Sequence, residues 1–352
     1  MENAKALIAM SGGVDSSVAA HRMLQSGYHC VGATMRLFEK TDCKCGSDVE
    51  DARSVADRLG IPFYVFSFAE QFQAQVMDPF VRSYEQGLTP NPCVDCNRHL
   101  KFKELLQKAS ELGCDCIATG HYASIRFDPD TGRYLLYKAA DKAKDQSYFL
   151  YSLNQQQMSR IRFPLGDLTK EQVRSIAEKE GFLNAAKKDS QDICFIPDGD
   201  YYAFIRSYTG KTYPGGNFLN ADGQVVGTHQ GAVGYTRGQR KGLGLAMGEP
   251  VYVLGKDMEA NTVTVGSNDS LFSRTLWASD WNFFPFDRLT APLRVYAKAR
   301  SRMAEQPATV YPEENGICRV EFDEPVRAIT TGQAVVLYDG EQVIGGGTIT
   351  RI

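Results

Sequence analysis

Across its first 120 residues the chain alternates short apolar runs with amphipathic stretches, and this alternation restricts the fold more than any other feature. KALIAM (5–10), Tyr28 to Phe38, PFYVFSF (62–68) and CDCIAT (114–119) read as buried strands. Helical periods lie between them: VDSSVAAHRMLQS closed by Gly27, a stretch opened by the Ser47/Glu50 capping box and closed by Gly60, a stretch from about 70 to 86, and 97–112. Strands that alternate with helices form a parallel sheet covered on both faces. The pattern changes near residue 123. ASIRFDPDTGRYLLYKA reads as a hairpin, helices return at 154–160 and 169–180, and after about 208 Gly-rich turns separate short alternating strands. The expected architecture is an α/β parallel-sheet domain over 1–208, a β-rich central module over 209–270, and a small antiparallel β-barrel or sandwich over 271–352.

The 39 basic and 42 acidic side chains leave a formal charge of −3, which excludes a globally basic nucleic-acid coat. Any nucleic acid must be held by local patches. No run of 18 apolar residues and no export signal is present, so a cytosolic protein without a membrane partner is expected. Nine cysteines in such a chain argue against a disulfide framework and for a chemical reading of unusual spacings.

Three segments carry that chemistry. Ser11-Gly12-Gly13-Val14-Asp15-Ser16-Ser17 joins the first strand to the first helix. Its glycines let backbone approach a ligand, and the free N–H groups of the helix start favour an anion. Asp15 is a candidate holder of Mg²⁺ beside a phosphate. No Lys stands at the spacing of a γ-phosphate-transferring P-loop. The second segment, Thr89-Pro90-Asn91-Pro92-Cys93-Val94-Asp95-Cys96, precedes a helix, whose dipole is expected to favour the Cys96 thiolate. No second C-x-x-C exists to complete a zinc ribbon, and Cys43-x-Cys45 is too tight to serve. The third is Lys188-Asp189-Ser190-Gln191-Asp192-Ile193-Cys194-Phe195, a lone cysteine where a polar stretch turns apolar. Cys30, Cys114, Cys116 and Cys318 read as packing residues, and His121 as either a site residue or a structural one. In RVYAKARSR (294–302), Lys298, Arg300 and Arg302 are expected to alternate onto one strand face and track phosphates.

The glycine loop resembles the PP-loop of ATP pyrophosphatases. With EDARSVADRLGIPFYV, TPNPCVDCNRHLKF, ATGHYA, KDQSYFLY, KKDSQDICFI, YTRGQRKGLGL and KARSR, the whole chain resembles the tRNA-specific 2-thiouridylases. That resemblance implies ATP contacts at Ala9, Met10, Ser11, Gly12, Gly13, Val14, Asp15, Ser16, Met35 and Gly120. It implies a target-base pocket at Asn91, Pro92 and Cys93, and tRNA contacts at Lys144, Asp145, Gln146, Arg300 and Ser301. Cys194 is implied as persulfide carrier and Cys96 as its partner nucleophile. One departure stands out: many family members have Asp where this chain has Cys93, and a thiol is the poorer hydrogen-bonding group.

The implied reaction adenylates the C2 oxygen of a wobble uridine with ATP and Mg²⁺. Sulfur then passes from a persulfide, loaded by a donor such as a cysteine desulfurase or a sulfur relay protein. Cys93, Cys96 and Cys194 as ligands of an iron–sulfur cluster form a less favoured alternative. Amide formation on a small substrate, and a non-catalytic RNA-binding protein, are the readings from other classes.

Overall fold

The computed structural model describes residues 4–38, 45–185, 187 and 193–352. Cys43, the Lys188–Asp192 part of the third segment and the Ser47 half of the expected capping box lie outside what can be described. Strands β1 (Lys5–Ala9), β2 (His29–Arg36), β3 (Phe63–Ser67) and β4 (Cys116–Ala118) fall where the apolar runs predict. After a hairpin of β5 (Ser124–Asp128) and β6 (Arg133–Tyr137), β7 (Ile161–Arg162) completes a parallel sheet of order β3-β2-β1-β4-β7. Alternation along β1 sends Ala6 and Ile8 to a core with Val14, Val18 and Met23 of helix α1 (Val14–Gln25). Leu7 goes to the opposite core, with Phe72, Leu100, Phe102 and Leu105. The strand order reverses between β1 and β4, and open α/β sheets bind ligands at the carboxyl ends of strands at such a point.

The cysteine-bearing helix starts five residues earlier than its period suggests. Pro92 occupies the first turn of Pro92–Asp95, which runs into a π-helical segment, Cys96–Glu104, and then Leu105–Glu111. A second difference is the helix Tyr201–Thr209, whose apolar residues Tyr201, Phe204, Ile205 and Tyr208 keep helical spacing. Asp200 caps it by accepting from the Ala203 N–H at 2.9 Å, and Gly210 ends it in the left-handed region at φ 65°.

The central strands β8 (Gly216–Leu219), β9 (Val225–His229), β10 (Tyr252–Asp257) and β11 (Thr262–Gly266) form a sheet of order β10-β11-β8-β9. The C-terminal strands are β12 (Phe272–Phe283), β13 (Leu293–Lys298), β14 (Gln306–Pro312), β15 (Cys318–Arg327), β16 (Ala334–Asp339) and β17 (Gln342–Arg351). They run in the order β12-β15-β14-β13-β16-β17, and β17 returns to β12, closing a six-stranded antiparallel barrel rather than a sandwich. The β5–β6 hairpin joins this sheet through Leu136–Val343 and Tyr137–Gln342, so a segment of the N-terminal domain extends the barrel. The expected basic stripe does not form. β13 ends at Lys298, and Arg300 and Arg302 lie in the turn that follows, where strand alternation no longer applies.

Candidate functional site

At the carboxyl end of β1, Ala9 and Met10 lead into the glycine loop. The Met10 N–H donates to the Ala33 carbonyl at 2.8 Å, and Thr34 Oγ1 donates to the Met10 carbonyl at 2.7 Å, so the loop hangs from β2, the strand that also carries Met35. Gly12 has φ +71°, and a Cβ there would lie 2.3 Å from the Asp48 carbonyl oxygen; only glycine fits. Gly13 is the N-cap of α1, and the hydroxyls of Ser16 and Ser17 donate to its carbonyl at 3.0 and 3.1 Å. Ser11 stays exposed, its N–H on Ser16 Oγ at 3.1 Å. Gly120 follows β4 across the switch point, and a Cβ there would come within 2.8 Å of the Asp15–Ser16 backbone. Gly120 is thus packed against the first turn of α1, beside the loop 9–16 and the free N–H groups of the helix start.

Two lysines given no role by the sequence converge on this loop. Lys170 Nζ lies 2.7 and 2.8 Å from the two Asp15 carboxylate oxygens, and the Tyr122 hydroxyl donates to one of them at 2.8 Å. Asp15 therefore does not fit the expected Mg²⁺ ligand, because its lone pairs face an ammonium and a phenol. Lys187 Nζ reaches Asp48 and Asp51 at 2.6 and 2.8 Å and the Gly12 carbonyl at 3.4 Å. Asn184, buried beneath the loop, donates to the Gly12 carbonyl at 3.0 Å and to Ser17 Oγ at 2.9 Å.

The second site is a group of thiols. Cys93 is exposed on the first turn of the cysteine helix, and Cys96, one turn on, is buried. Cys194 is exposed, and Phe195 beside it anchors its segment edge-on against Phe72 and Phe80 at 5.7 and 5.3 Å between ring centres. The three are electrostatically coupled: ionised Cys96 and Cys93 both disfavour ionisation of Cys194. The expectation of a thiolate at Cys96 is overturned. Burial raises its thiol above the usual cysteine value, and Cys96 lies in the second helical turn, past the strongest dipole. The surrounding protein likewise raises Cys93, and pushes Cys194 up to about 12 although its side chain reaches solvent. All three are thiols in the resting protein. Among the described residues no three His, Cys, Asp or Glu side chains are placed to hold a metal ion, which does not fit a cluster on these cysteines. The loop before them is tied to the barrel: Gln333 Nε2 donates to the Thr89 and Pro90 carbonyls at 2.9 and 3.1 Å, and Arg98 pairs with Asp280 at 2.6 Å. Asn91 is the N-cap of the helix, and Pro92 is buried.

His121 is structural in its contacts. Its Nδ1 lies 2.7 Å from Thr119 Oγ1, its ring packs between Phe102 and Phe163, and burial holds it well below the usual imidazole range. Asp145 and Gln146 also serve the fold. The Asp145 carboxylate accepts from the Ala139 N–H and the Ser147 hydroxyl at 2.9 and 2.7 Å, and Gln146 Oε1 accepts from the Tyr122 N–H at 3.0 Å. Lys144 is half-buried on the same loop. Arg300 turns inward, donating to the Arg237 carbonyl at 3.0 Å and to Thr330 Oγ1, while Ser301 is half-buried and Arg302 exposed. Cys30, Cys114, Cys116 and Cys318 are buried, as packing residues should be.

Models of protein families match almost the full chain. One described as a tRNA methyl transferase HUP domain covers residues 4–198, a tRNA methyl transferase PRC-barrel domain covers 202–267, and an aminomethyltransferase beta-barrel domain covers 273–349. Among named relatives, the tRNA-specific 2-thiouridylase MnmA of Acetivibrio thermocellus is 48% identical over 99% of this chain and 100% of its own length. The protein of the same name from Clostridioides difficile is 46% identical over 99% of both chains. A solved 4-thiouridine synthetase–RNA complex with bound ATP is 19% identical, with a TM-score of 0.37 over 55% of this chain and 45% of that one, a likeness too slight to carry an argument. The likeness to the named relatives runs end to end, and on that basis the chain belongs to the tRNA-specific 2-thiouridylase family.

Proposed function

We propose that the protein is a tRNA-uridine 2-sulfurtransferase, which uses ATP to replace the C2 oxygen of a wobble uridine with sulfur. The observation that carries this reading is the pairing of two half-sites. A glycine loop at the sheet's switch point leads into a helix N-terminus, which suits an anion, and a separate group of three coupled thiols is tied to the barrel by Gln333 and Arg98. Adenylation alone needs only the first. A methyl transfer, the activity named in the family-model descriptions, requires neither.

In this reading ATP lies along residues 9–16 with Met35 and Gly120 beside it, and the α1 N–H groups hold its phosphates. Mg²⁺ fits as the counter-ion of the nucleotide rather than as a ligand of Asp15, which Lys170 holds. The flipped uracil sits by Asn91, Pro92 and Cys93. Its O2 attacks the α-phosphorus, pyrophosphate leaves, and the ring carries AMP as a leaving group that water would never supply. Cys194 carries the persulfide. In one route the outer persulfide sulfur attacks C2 as AMP departs, and Cys96 then attacks Cys194 Sγ to break the remaining S–S bond; in the other Cys96 attacks first and the released hydrosulfide displaces AMP at C2. Either route leaves a Cys96–Cys194 disulfide to be reduced. A persulfide-donating protein loads Cys194, whose exposure suits access by a partner. tRNA phosphates meet Lys144, Arg302 and the turn at Arg300–Ser301.

The test is reconstitution with unmodified tRNA, ATP and a persulfide donor, followed by mass analysis of nucleosides and of pyrophosphate release. 2-Thiouridine that disappears in both Cys96→Ser and Cys194→Ser is the expected result. Activity surviving the double substitution would point to amide formation on a small substrate instead.

A further inference from the structure

Lys101 stands out among the cations of the cysteine helix. Among the described residues no carboxylate pairs with it and no hydrogen bond uses its ammonium, whereas Arg98 on the same segment is paired with Asp280. It is half-buried, while Lys103 two residues on is exposed. The π-helical segment Cys96–Glu104 bonds i to i+5, so Lys101 follows Cys96 by about one turn and leaves the helix on nearly the same side; in an α-helix the two would diverge. Among the described residues Lys101 is the one cation that acts on all three thiols, Cys93, Cys96 and Cys194, and it also acts on His121, the residue after Gly120. π-Helical turns occur often at functional sites, and here the turn brings a lone ammonium to a group of sulfurs.

We propose that Lys101 is a positioning residue for sulfur transfer, the cation that stabilises the sulfur anions formed at Cys96 and Cys194. The proposal rests on the thiolation reading for its chemistry. Cys96 gives its proton to solvent, and the thiolate attacks Sγ of persulfidated Cys194. The Cys96–Cys194 bond forms, the sulfane bond breaks, and hydrosulfide leaves with the bonding pair; a dithiol reductant then restores both thiols. Each step passes through a negative sulfur, and buried anions need a compensating charge. Among the described residues the other charged groups facing these sulfurs disfavour the anion: Asp95 acts on Cys93 and Cys96, Cys93 acts on Cys96, and both cysteines act on Cys194. The Cys194 backbone makes a small contribution in Lys101's direction.

Alkylation of the full-length protein by iodoacetamide, followed at each cysteine peptide by mass spectrometry between pH 7 and 10, tests this without ATP or tRNA. Lys101→Met should slow modification of exposed Cys93 and Cys194 about three- to tenfold at pH 8.5. Lys101→Arg should stay within about twofold of wild type, and Lys103→Met should change nothing. Lys101→Gln replaces Lys101→Met if thermal unfolding shows a damaged fold. Single-turnover thiolation from persulfide-loaded Lys101→Met should run about three- to tenfold below wild type, rising in parallel with it from pH 7 to 9, and Lys101→Arg should restore it. Unaltered alkylation in Lys101→Met, equal slowing by Lys103→Met, or a thiolation defect that Lys101→Arg shares in full would each overturn the assignment. Wild-type protein that shows the alkylation pattern yet makes no 2-thiouridine would instead overturn the thiolation reading alone.

Discussion

Lys170 Nζ sits 2.7 and 2.8 Å from the two carboxylate oxygens of Asp15, joining residues 155 positions apart at the first turns of two helices. For Asp15 the location is favourable, since a helix N-terminus attracts negative charge; for Lys170 it is not. The pair explains why a lysine stands there. With side chains 11% and 30% exposed, Lys170 and Asp15 are sheltered enough for the interaction to matter. Asp15→Asn should therefore lower adenylation at least tenfold, as the ammonium loses the anchor that holds it at the phosphate crevice. A double-mutant cycle with Lys170→Met, read by pyrophosphate release and by unfolding, should give a coupling of about 1–3 kcal/mol. Additive effects would mean that the two act separately.

Raised thiol values at Cys93, Cys96 and Cys194 predict the pH profile of sulfur transfer. The native state favours the protonated forms, so the thiolate fraction is small at pH 7 and grows as pH rises. Single-turnover thiolation should climb by about tenfold per unit from pH 7 to 9 where a thiolate attacks. A plateau below pH 8 would show that no thiolate is formed in the limiting step.

The two cysteines should divide the labour. Cys194→Ser should stop thiolation while adenylation continues, because the glycine loop is untouched. Cys96→Ser should also stop turnover, because no thiolate is left to break the sulfur–sulfur bond at Cys194, yet a persulfide should still accumulate there. A hydroxyl can neither hold a sulfane sulfur nor leave as readily as a thiolate. The mass shift of each variant after incubation with the donor decides it. Sulfur found on Cys96 in an active Cys194→Ser protein would reverse the assignment.

Asp95 should be a liability to stability. Burial, aided by Asp280 and opposed by Arg98, pushes its carboxyl up to about 6. The native protein then binds more protons than the unfolded chain between about pH 4 and 6, so stability falls through that window and the deficit is complete at pH 7. Asp95→Asn should stabilise by about 1–2 kcal/mol at pH 7 and by little at pH 4, measured by thermal unfolding. An equal gain at both pH values would remove the electrostatic cause.

Arg300 and Arg302 should separate fold from RNA binding. Arg302→Ala should lower the salt slope of tRNA binding by about 0.7–0.9 with an unchanged melting temperature. Arg300→Ala should cost about 1–2 kcal/mol of stability, since its guanidinium ties Arg237 to Thr330 across the junction of module and barrel. An Arg300→Ala protein that melts like wild type would leave that tie without consequence.

Local sequence determined the parallel sheet, because apolar runs bounded by glycines and capping residues carry their own period. It also determined the glycine loop, whose φ at Gly12 and close approach at Gly120 no other residue accepts. The helix Tyr201–Thr209 was equally legible from its apolar spacing and the Asp200 cap, and it was hidden only by the Gly-rich strands around it. The state of the cysteines could not be read this way: a thiol before a helix promises a low pKa, but burial of Cys96 outweighs the dipole. Nor could the lysines. Lys170, Lys187 and Lys101 look like ordinary surface charge until the fold sets them against Asp15, the Gly12 carbonyl and three sulfurs. Likewise, the barrel's hold on Thr89 and Pro90 through Gln333 spans more than 240 positions. Periodicity and backbone sterics act over a few residues and are written in the chain, whereas desolvation and charge pairing depend on which distant groups share a crevice, and only the tertiary structure decides that.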